Sequence, residues 1–128
     1  MRIVALDYGV ARTGVAISDE TGTLARPLSV VERVDTALGF TTLLELLARE
    51  APGEIGVGLP VSLDGREHEQ ARRVREFVGR LTVAVSQPIS LYDERFTSKL
   101  ADQRGGSAGR DARAAATLLE DYLRSRDG

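Results

Sequence analysis

The stretch Arg2-Ile3-Val4-Ala5-Leu6-Asp7-Tyr8-Gly9-Val10-Ala11-Arg12-Thr13-Gly14-Val15-Ala16-Ile17-Ser18 decides how this chain is read. Arg2 to Leu6 is a short, nearly continuous apolar run, the pattern of a central strand covered on both faces. Asp7 ends the run. Tyr8 to Gly14 is a turn between two glycines, and Gly14 to Ser18 resumes as a strand. An Asp at a strand end beside a glycine turn leaves its carboxylate at the sheet rim and lets backbone approach a ligand closely. The plainer alternative is a hairpin Asp that caps its own turn.

Reading outward, Asp19-Glu20-Thr21-Gly22-Thr23 is turn chemistry, and Leu24 to Val31 is a third strand. Pro27 has no ladder donor and places that strand at an edge or a bulge. Three consecutive strands joined by short turns make an antiparallel meander. Asp35 is then read as the N-cap of a helix over Thr36 to Glu50, whose apolar positions 40, 43, 44 and 47 follow a 3.6 period and which Pro52-Gly53 stops. Ile55 to Leu59 is a fourth strand, ending at Pro60 and a loop to Asp64-Gly65. A second helix runs from Glu67 to Leu81 with Ala71, Val74, Phe77, Val78 and Leu81 inward. Ile89 to Asp93 is a fifth strand. Thr97 caps a short helix to Arg104, Arg104 to Gly109 is a flexible loop, and a last helix runs from Arg110 to Arg126 before fraying. The expected fold is α/β: a mixed five-stranded sheet, an antiparallel three-strand meander plus two parallel strands, flanked by helices, with right-handed crossovers fixing its hand.

The 128 residues suit one domain, 1–128, with one core. The apolar fraction of 42% and charged fraction of 28% are ordinary for a globular protein. No apolar run approaches the ~20 residues that span a membrane, and the start reads as a strand rather than a signal peptide. With no Cys, disulfides and thiolate zinc sites are excluded and a reducing cytoplasm is expected. The single His68 excludes multi-histidine metal sites and is read as a surface residue. The net charge of -2 hides a polarity. Residues 1–65 carry five Arg against nine acidic residues, whereas 66–128 carry twelve basic against ten acidic. Sixteen of the seventeen basic residues are Arg, which suits bidentate phosphate contacts and equally reflects a compositional bias.

Three carboxylates sit on element ends that face the core. They are Asp7, one of the pair Asp93-Glu94 after the fifth strand, and Asp111, whose helical face continues through Ala115, Leu118 and Tyr122. Acidic side chains in such places are paired or metal-bound, and none of these has a basic residue at a fixed offset, which points to a divalent cation. Strand alternation sends Asp93 and Glu94 to opposite faces, so only one reaches the site unless the strand bulges. Each signal alone has a plain alternative: a solvated charge cluster for Asp93-Glu94, and service to the helix macrodipole for Asp111.

Taken together, Asp7-x-Gly9-x-x-Arg12-x-Gly14-x-Ala16, Val57-Gly58-Leu59-Pro60 with Asp64-Gly65, Asp93-Glu94-Arg95-Phe96-Thr97-Ser98 and Asp111-x-x-Ala114-Ala115 resemble the YqgF family, also called RuvX, over essentially the full length. That family comprises Holliday junction resolvases or pre-16S rRNA nucleases with a ribonuclease H-like fold. The resemblance implies Asp7, Glu94 and Asp111 as the acidic catalytic triad. Two departures are visible: the loop before the last helix is shorter than usual, and Arg110 stands where relatives often carry Lys.

The expected activity is metal-dependent phosphodiester hydrolysis in a four-way DNA junction or pre-16S rRNA. Mg²⁺ or Mn²⁺ would be held on oxygen ligands alone. Arg12, Arg95 and Arg110 are candidate nucleic-acid contacts, and Arg72, Arg73 and Arg75 form a candidate phosphate track on the second helix, for which a merely solvated face is the alternative. Paired cuts at a junction call for two active sites, which a homodimer would supply. Two rivals stand beside this reading: a non-catalytic nucleic-acid-binding module, and an actin-like phosphotransferase, which needs two such domains where 128 residues supply one.

Overall fold

The computed structural model describes residues 1–60, 68–93 and 107–127, with side chains from Asp111 to Ser125 in the last helix. The strands are β1 (Ile3–Asp7), β2 (Arg12–Ser18), β3 (Ala25–Glu32), β4 (Glu54–Leu59) and β5 (Ile89–Asp93). The helices are α1 (Ala37–Glu50), α2 (Glu69–Ala84) and α3 (Ser107–Asp127). The sheet order is β3-β2-β1-β4-β5. β1 pairs antiparallel with β2 and β2 with β3, while β4 runs parallel to both β1 and β5. This is the mixed five-stranded sheet that the spacing predicts, with β1 at its centre. Pro27 lies on the edge strand, where the pairing of β3 on β2 jumps from Ser29 opposite Val15 to Pro27 opposite Ala16. The missing Pro N–H thus falls at an irregularity on an edge, where it breaks no central ladder.

Alternation assigns each strand residue to one of two layers. Val4, Leu6, Val15, Ile17, Ile55 and Val57 pack with Leu43, Leu47, Val74, Phe77 and Leu81 under α1 and α2. Ile3, Ala5 and Ala16 pack with Ala115, Ala116, Leu119 and Leu123 of α3 on the other face. The two layers differ in side-chain size. A Cβ built on Gly14 would stand 1.9 Å from the carbonyl oxygen of Asp111, and one on Gly56 would meet the Tyr122 ring at 3.7 Å. Small residues on both partners therefore let α3 lie directly on β2 and β1.

Several boundaries differ from the sequence reading. Thr36, not Asp35, caps α1: its hydroxyl accepts from the Gly39 N–H at 3.1 Å. Asp35 is engaged elsewhere, accepting from the Tyr8 hydroxyl and from Arg80, whose guanidinium also lies 5.4 Å over the Phe40 ring. Tyr8 stacks on Phe77 with centroids 5.1 Å apart, so this cluster ties the end of β1 to both helices. α1 ends at Ala51, in the left-handed region, directly before Pro52. α2 spans Glu69–Ala84, with Val78 only partly buried. Ser107 to Gly109 belong to α3 rather than to a loop, and α3 stays helical through Asp127, one residue beyond the expected Arg126. The Asp64-Gly65 loop and the Thr97 helix lie outside the described residues.

Gly14→Ala should cost at least about 1–3 kcal/mol, because the new methyl meets backbone that cannot rotate away. Gly79→Ala in α2, where an added Cβ finds nothing within 4 Å, should instead stabilise by about 0.5–1 kcal/mol. Urea unfolding of both variants checks the opposite signs.

A second expectation concerns alkaline pH. Burial, and then the Asp35 carboxylate beside it, push the Tyr8 hydroxyl from the usual 10 to about 12. Burial and Asp121 do the same to Tyr92. The folded state holds both protons more tightly than the unfolded chain, so this contribution is complete below about pH 10 and disappears as pH rises through about 12. Wild type should lose stability steeply between those values, and the Tyr8→Phe, Tyr92→Phe double variant should show a shallower slope across urea midpoints.

Candidate functional site

The carboxyl ends of β1, β4 and β5 and the start of β2 share one rim of the sheet. Asp7 closes β1 at that rim with the parity of Ile3 and Ala5, hence on the α3 face, and lies opposite Gly14 in the β1–β2 ladder. Gly14 is also the residue against which the Asp111 backbone presses. The two carboxylate-bearing residues therefore flank one glycine, Asp7 from the neighbouring strand and Asp111 from the helix above. Both are half-buried. Gly9 shapes the intervening turn, since a Cβ there would stand 2.3 Å from the carbonyl oxygen of Arg12.

Arg12 has the parity of Gly14 and reaches the same place. Its Nε donates to the Asp111 carboxylate at 2.8 Å, with the two side chains 39% and 24% exposed. No basic residue stands at a fixed offset from Asp111, yet the fold brings it one. The partner comes from 99 positions upstream, a distance at which no helical spacing could signal it. The Arg12 guanidinium, read from sequence as a phosphate contact, is held here by a carboxylate.

On β5, Ile89 and Leu91 pack into the α1/α2 layer. Tyr92 faces α3: its hydroxyl donates to Asp121, and its ring stands edge-on to Tyr122 with centroids 5.5 Å apart at 67°. Asp93 has the parity of Ile89 and Leu91 and is exposed, on the side away from Asp7 and Asp111. Glu94 and Arg95 lie outside the described residues, and Arg110 lies on α3 immediately before Asp111. Among the described residues, no three Asp, Glu or His side chains are grouped so as to hold a metal ion. What the described part supplies toward an oxygen-ligand site is the pair Asp7 and Asp111, which fits a hard cation in ligand type.

The arginines of α2 lie on its solvent side, opposite buried Ala71, Val74, Phe77 and Leu81. Arg72 and Arg73 both pair with Glu69, Arg73 at 3.5 Å. Arg73 also lines a cleft of about 330 Å³ with Tyr8, Asp35, Glu76 and Arg80, next in the chain to Asp7. Arg75 lines a second cleft with His68, Glu69 and Arg72. His68 is exposed, as expected.

Sequence reasoning missed the polar anchors at the far end of α3. Glu54 is 7% exposed and accepts from the Tyr122 hydroxyl and from Ser90 Oγ at 3.3 Å. An available signal was Tyr122 itself, which continues the Asp111–Ala115–Leu118 face and must place its hydroxyl on a partner.

Comparison with known proteins places these observations. Residues 1–125 match the family described as RuvX: Holliday junction resolvase. A protein of Maridesulfovibrio salexigens named "Putative pre-16S rRNA nuclease" is 38% identical, with 96% of this chain and 98% of that protein covered. A protein of the same name from an Anaeromyxobacter species is also 38% identical, with 98% of each covered. Among solved structures, the chain is similar to Thermus thermophilus RuvC in complex with a Holliday junction substrate (TM-score 0.63, 20% identity, 100% of this chain and 97% of that one). It is also similar to the fowlpox virus resolvase in complex with Holliday junction DNA (TM-score 0.65, 12% identity, 98% and 99% covered). At such identities the structural likeness establishes the fold, which is ribonuclease H-like.

Proposed function

The chain belongs to the RuvX family, and from that premise we propose that it is a divalent-metal-dependent endonuclease of structured nucleic acid, with residues 1–128 forming one nuclease domain. The observation that carries this reading is the placement of Asp7 and Asp111 on either side of Gly14 at the carboxyl rim of the sheet. Two acidic residues are seated there by rigid elements, one by the central strand and one by a helix pressed onto it. Glu94 is the proposed third ligand. The exposed position of Asp93 on the opposite face supports choosing its neighbour.

The oxygen-only donors suit Mg²⁺ or Mn²⁺. Such ions, when bound, supply an activated water and charge stabilisation for an in-line displacement at phosphorus. The chain's own part is to hold the carboxylates at fixed separation and the nucleic acid against them. Arg72, Arg73 and Arg75 on the α2 surface, of which Arg73 shares a cleft with Tyr8, are proposed to track the backbone together with Arg12, Arg95 and Arg110. A non-catalytic binding module would have no use for two carboxylates at this glycine, and an anionic rim would only weaken its grip on phosphate. An actin-like phosphotransferase would need a second domain to enclose a nucleotide.

The name borne by relatives at 38% identity over nearly their whole length favours precursor 16S rRNA as substrate. The family description favours a four-way DNA junction. In the latter case, two symmetric cuts need two active sites and therefore a homodimer. No helix among the described residues is long and apolar enough to cross a membrane, and we place the activity in the cytoplasm.

Matched four-way junctions, single strands and precursor 16S RNA incubated with Mg²⁺ or Mn²⁺ test the reading directly. Wild type should cleave one structured substrate, and Asp7→Asn should abolish the cut while binding persists. Cleavage by Asp7→Asn near the wild-type rate would remove Asp7 from the chemistry. Wild type should also melt higher in Mn²⁺, by about 2.7 kcal/mol of stability at a hundred times the dissociation constant, and Asp7→Asn should lose much of that gain.

Neutralising Arg72, Arg73 and Arg75 together should weaken binding to every sequence alike. It should also flatten the salt dependence on duplex DNA by about 0.9 log units per lost phosphate contact. An unchanged slope in an anisotropy titration would return α2 to the role of a solvated helix.

A further inference from the structure

The ion pair between Arg12 and Asp111 joins a proposed phosphate contact to a proposed metal ligand, and each partner is thereby kept from its own task. We propose that Arg12 is a positioning residue that couples the two binding events. In the metal-free protein its guanidinium serves as an internal cation on Asp111. When the Asp111 carboxylate is engaged by a divalent ion, Arg12 is released toward the substrate phosphate. This inference rests on the nuclease reading above and adds to it a coupling between metal binding and nucleic-acid binding.

Four observations support it. Arg12 and Asp111 approach the same glycine from strand and helix, so the pair forms where Asp7 also lies, in register with Gly14. The contact is a single Nε–Oδ2 hydrogen bond at 2.8 Å rather than a two-pronged clasp, which leaves the terminal nitrogens of the fork outside this bond. The Arg12 side chain is 39% exposed, so its head can leave Asp111 without unpacking the core. Finally, the residue is anchored by its backbone as the first residue of β2, opposite Glu32 of β3, so only the side chain needs to move. Both states are electrostatically sensible. Without a metal, the guanidinium offsets the mutual repulsion of the Asp7 and Asp111 carboxylates. With one, the cation takes over that role and Arg12 would be repelled by it. Linkage then requires that metal and nucleic acid tighten each other's binding.

Arg12→Gln separates this proposal from the alternatives. Titration calorimetry with Mn²⁺ and no nucleic acid should show tighter metal binding in Arg12→Gln than in wild type. The gain should be roughly twofold to fivefold, the range of a partly exposed ion pair. In an Asp111→Asn background, the same Arg12→Gln change should leave the residual Mn²⁺ affinity unaltered, and Arg12→Lys should restore most of the wild-type value. Anisotropy with a four-way DNA junction supplies the second reading. Arg12→Gln should cost less than twofold in chelator, where Asp111 already occupies the guanidinium, and roughly tenfold in Ca²⁺, the size of one charged hydrogen bond.

Equal cost with and without Ca²⁺ would make Arg12 a simple phosphate contact and overturn the proposal. Unchanged Mn²⁺ affinity in Arg12→Gln would do the same. So would tightening that persists in the Asp111→Asn background, because the effect would then be long-range repulsion rather than competition for Asp111. Failure of the nuclease reading looks different: wild type itself would bind no Mn²⁺ at a site that Asp7→Asn weakens.

Discussion

The contact on which the rest of the structure depends is the seating of α3 on β2 at Gly14, where the Asp111 carbonyl occupies the space a side chain would need. A helix cannot come this close to a sheet unless both surfaces are nearly bare. The sheet presents Gly14, Ala16, Ala5 and Gly56, and the helix presents Ala112, Ala115 and Ala116. From this closeness follow the burial of the small layer, the reach of Tyr122 to Glu54 at the far end and the arrival of Asp111 beside the residue that pairs with Asp7. The opposite face needs no such precision. There Phe77, Leu43, Leu47, Leu81 and their neighbours fill space with large side chains, which adapt to one another and supply most of the apolar burial.

Polar contacts hold α3 at both ends, and their environments give them different weight. Glu54 and Tyr122 meet in a largely buried setting, where an unmatched carboxylate would be costly, so the pair strongly selects the register of the helix on the sheet. Arg12 and Asp111 meet at the exposed rim, where such a bond contributes on the order of 0–1 kcal/mol. A weak bond at the rim suits a part that must change partners. A strong one at the far end keeps the helix in place while it does.

Much of this architecture was legible in the sequence because it rests on local rules. The continuous apolar run of β1 announced a central strand, Pro27 announced an edge or a bulge, and the 3.6 spacing of Ala71, Val74, Phe77 and Leu81 picked out the buried face of α2. The misreadings have physical causes. Asp35 and Thr36 are both good caps, and the choice fell to Thr36 because Tyr8 and Arg80, distant in sequence, claim the Asp35 carboxylate. Ser107-Ala108-Gly109 looks like a loop by composition, yet continues a long helix whose stability comes from packing farther along. Arg12–Asp111 and Glu54–Tyr122 span 99 and 68 positions, and no periodicity carries information across such separations. The candidate site was legible as a set of acidic residues on element ends; which of them meet, and what else meets them, depends on the fold.

The same reasoning explains why the small residues at this rim belong to the site as much as the carboxylates do. Glycine inside a strand costs roughly 0.5–1 kcal/mol relative to alanine, and β2 carries one at Gly14, where the β1–β2 ladder ends opposite Asp7. Stability alone would favour a side chain there. With any side chain, however, α3 must lift, and Asp111 lifts with it, while Asp7 stays fixed on the central strand. The separation of the two carboxylates is therefore set by one glycine and not by either acid. In the proposed site, whose acidic residues come from different elements, positional accuracy is a property of the packing between those elements, and Gly14 is where that packing is decided.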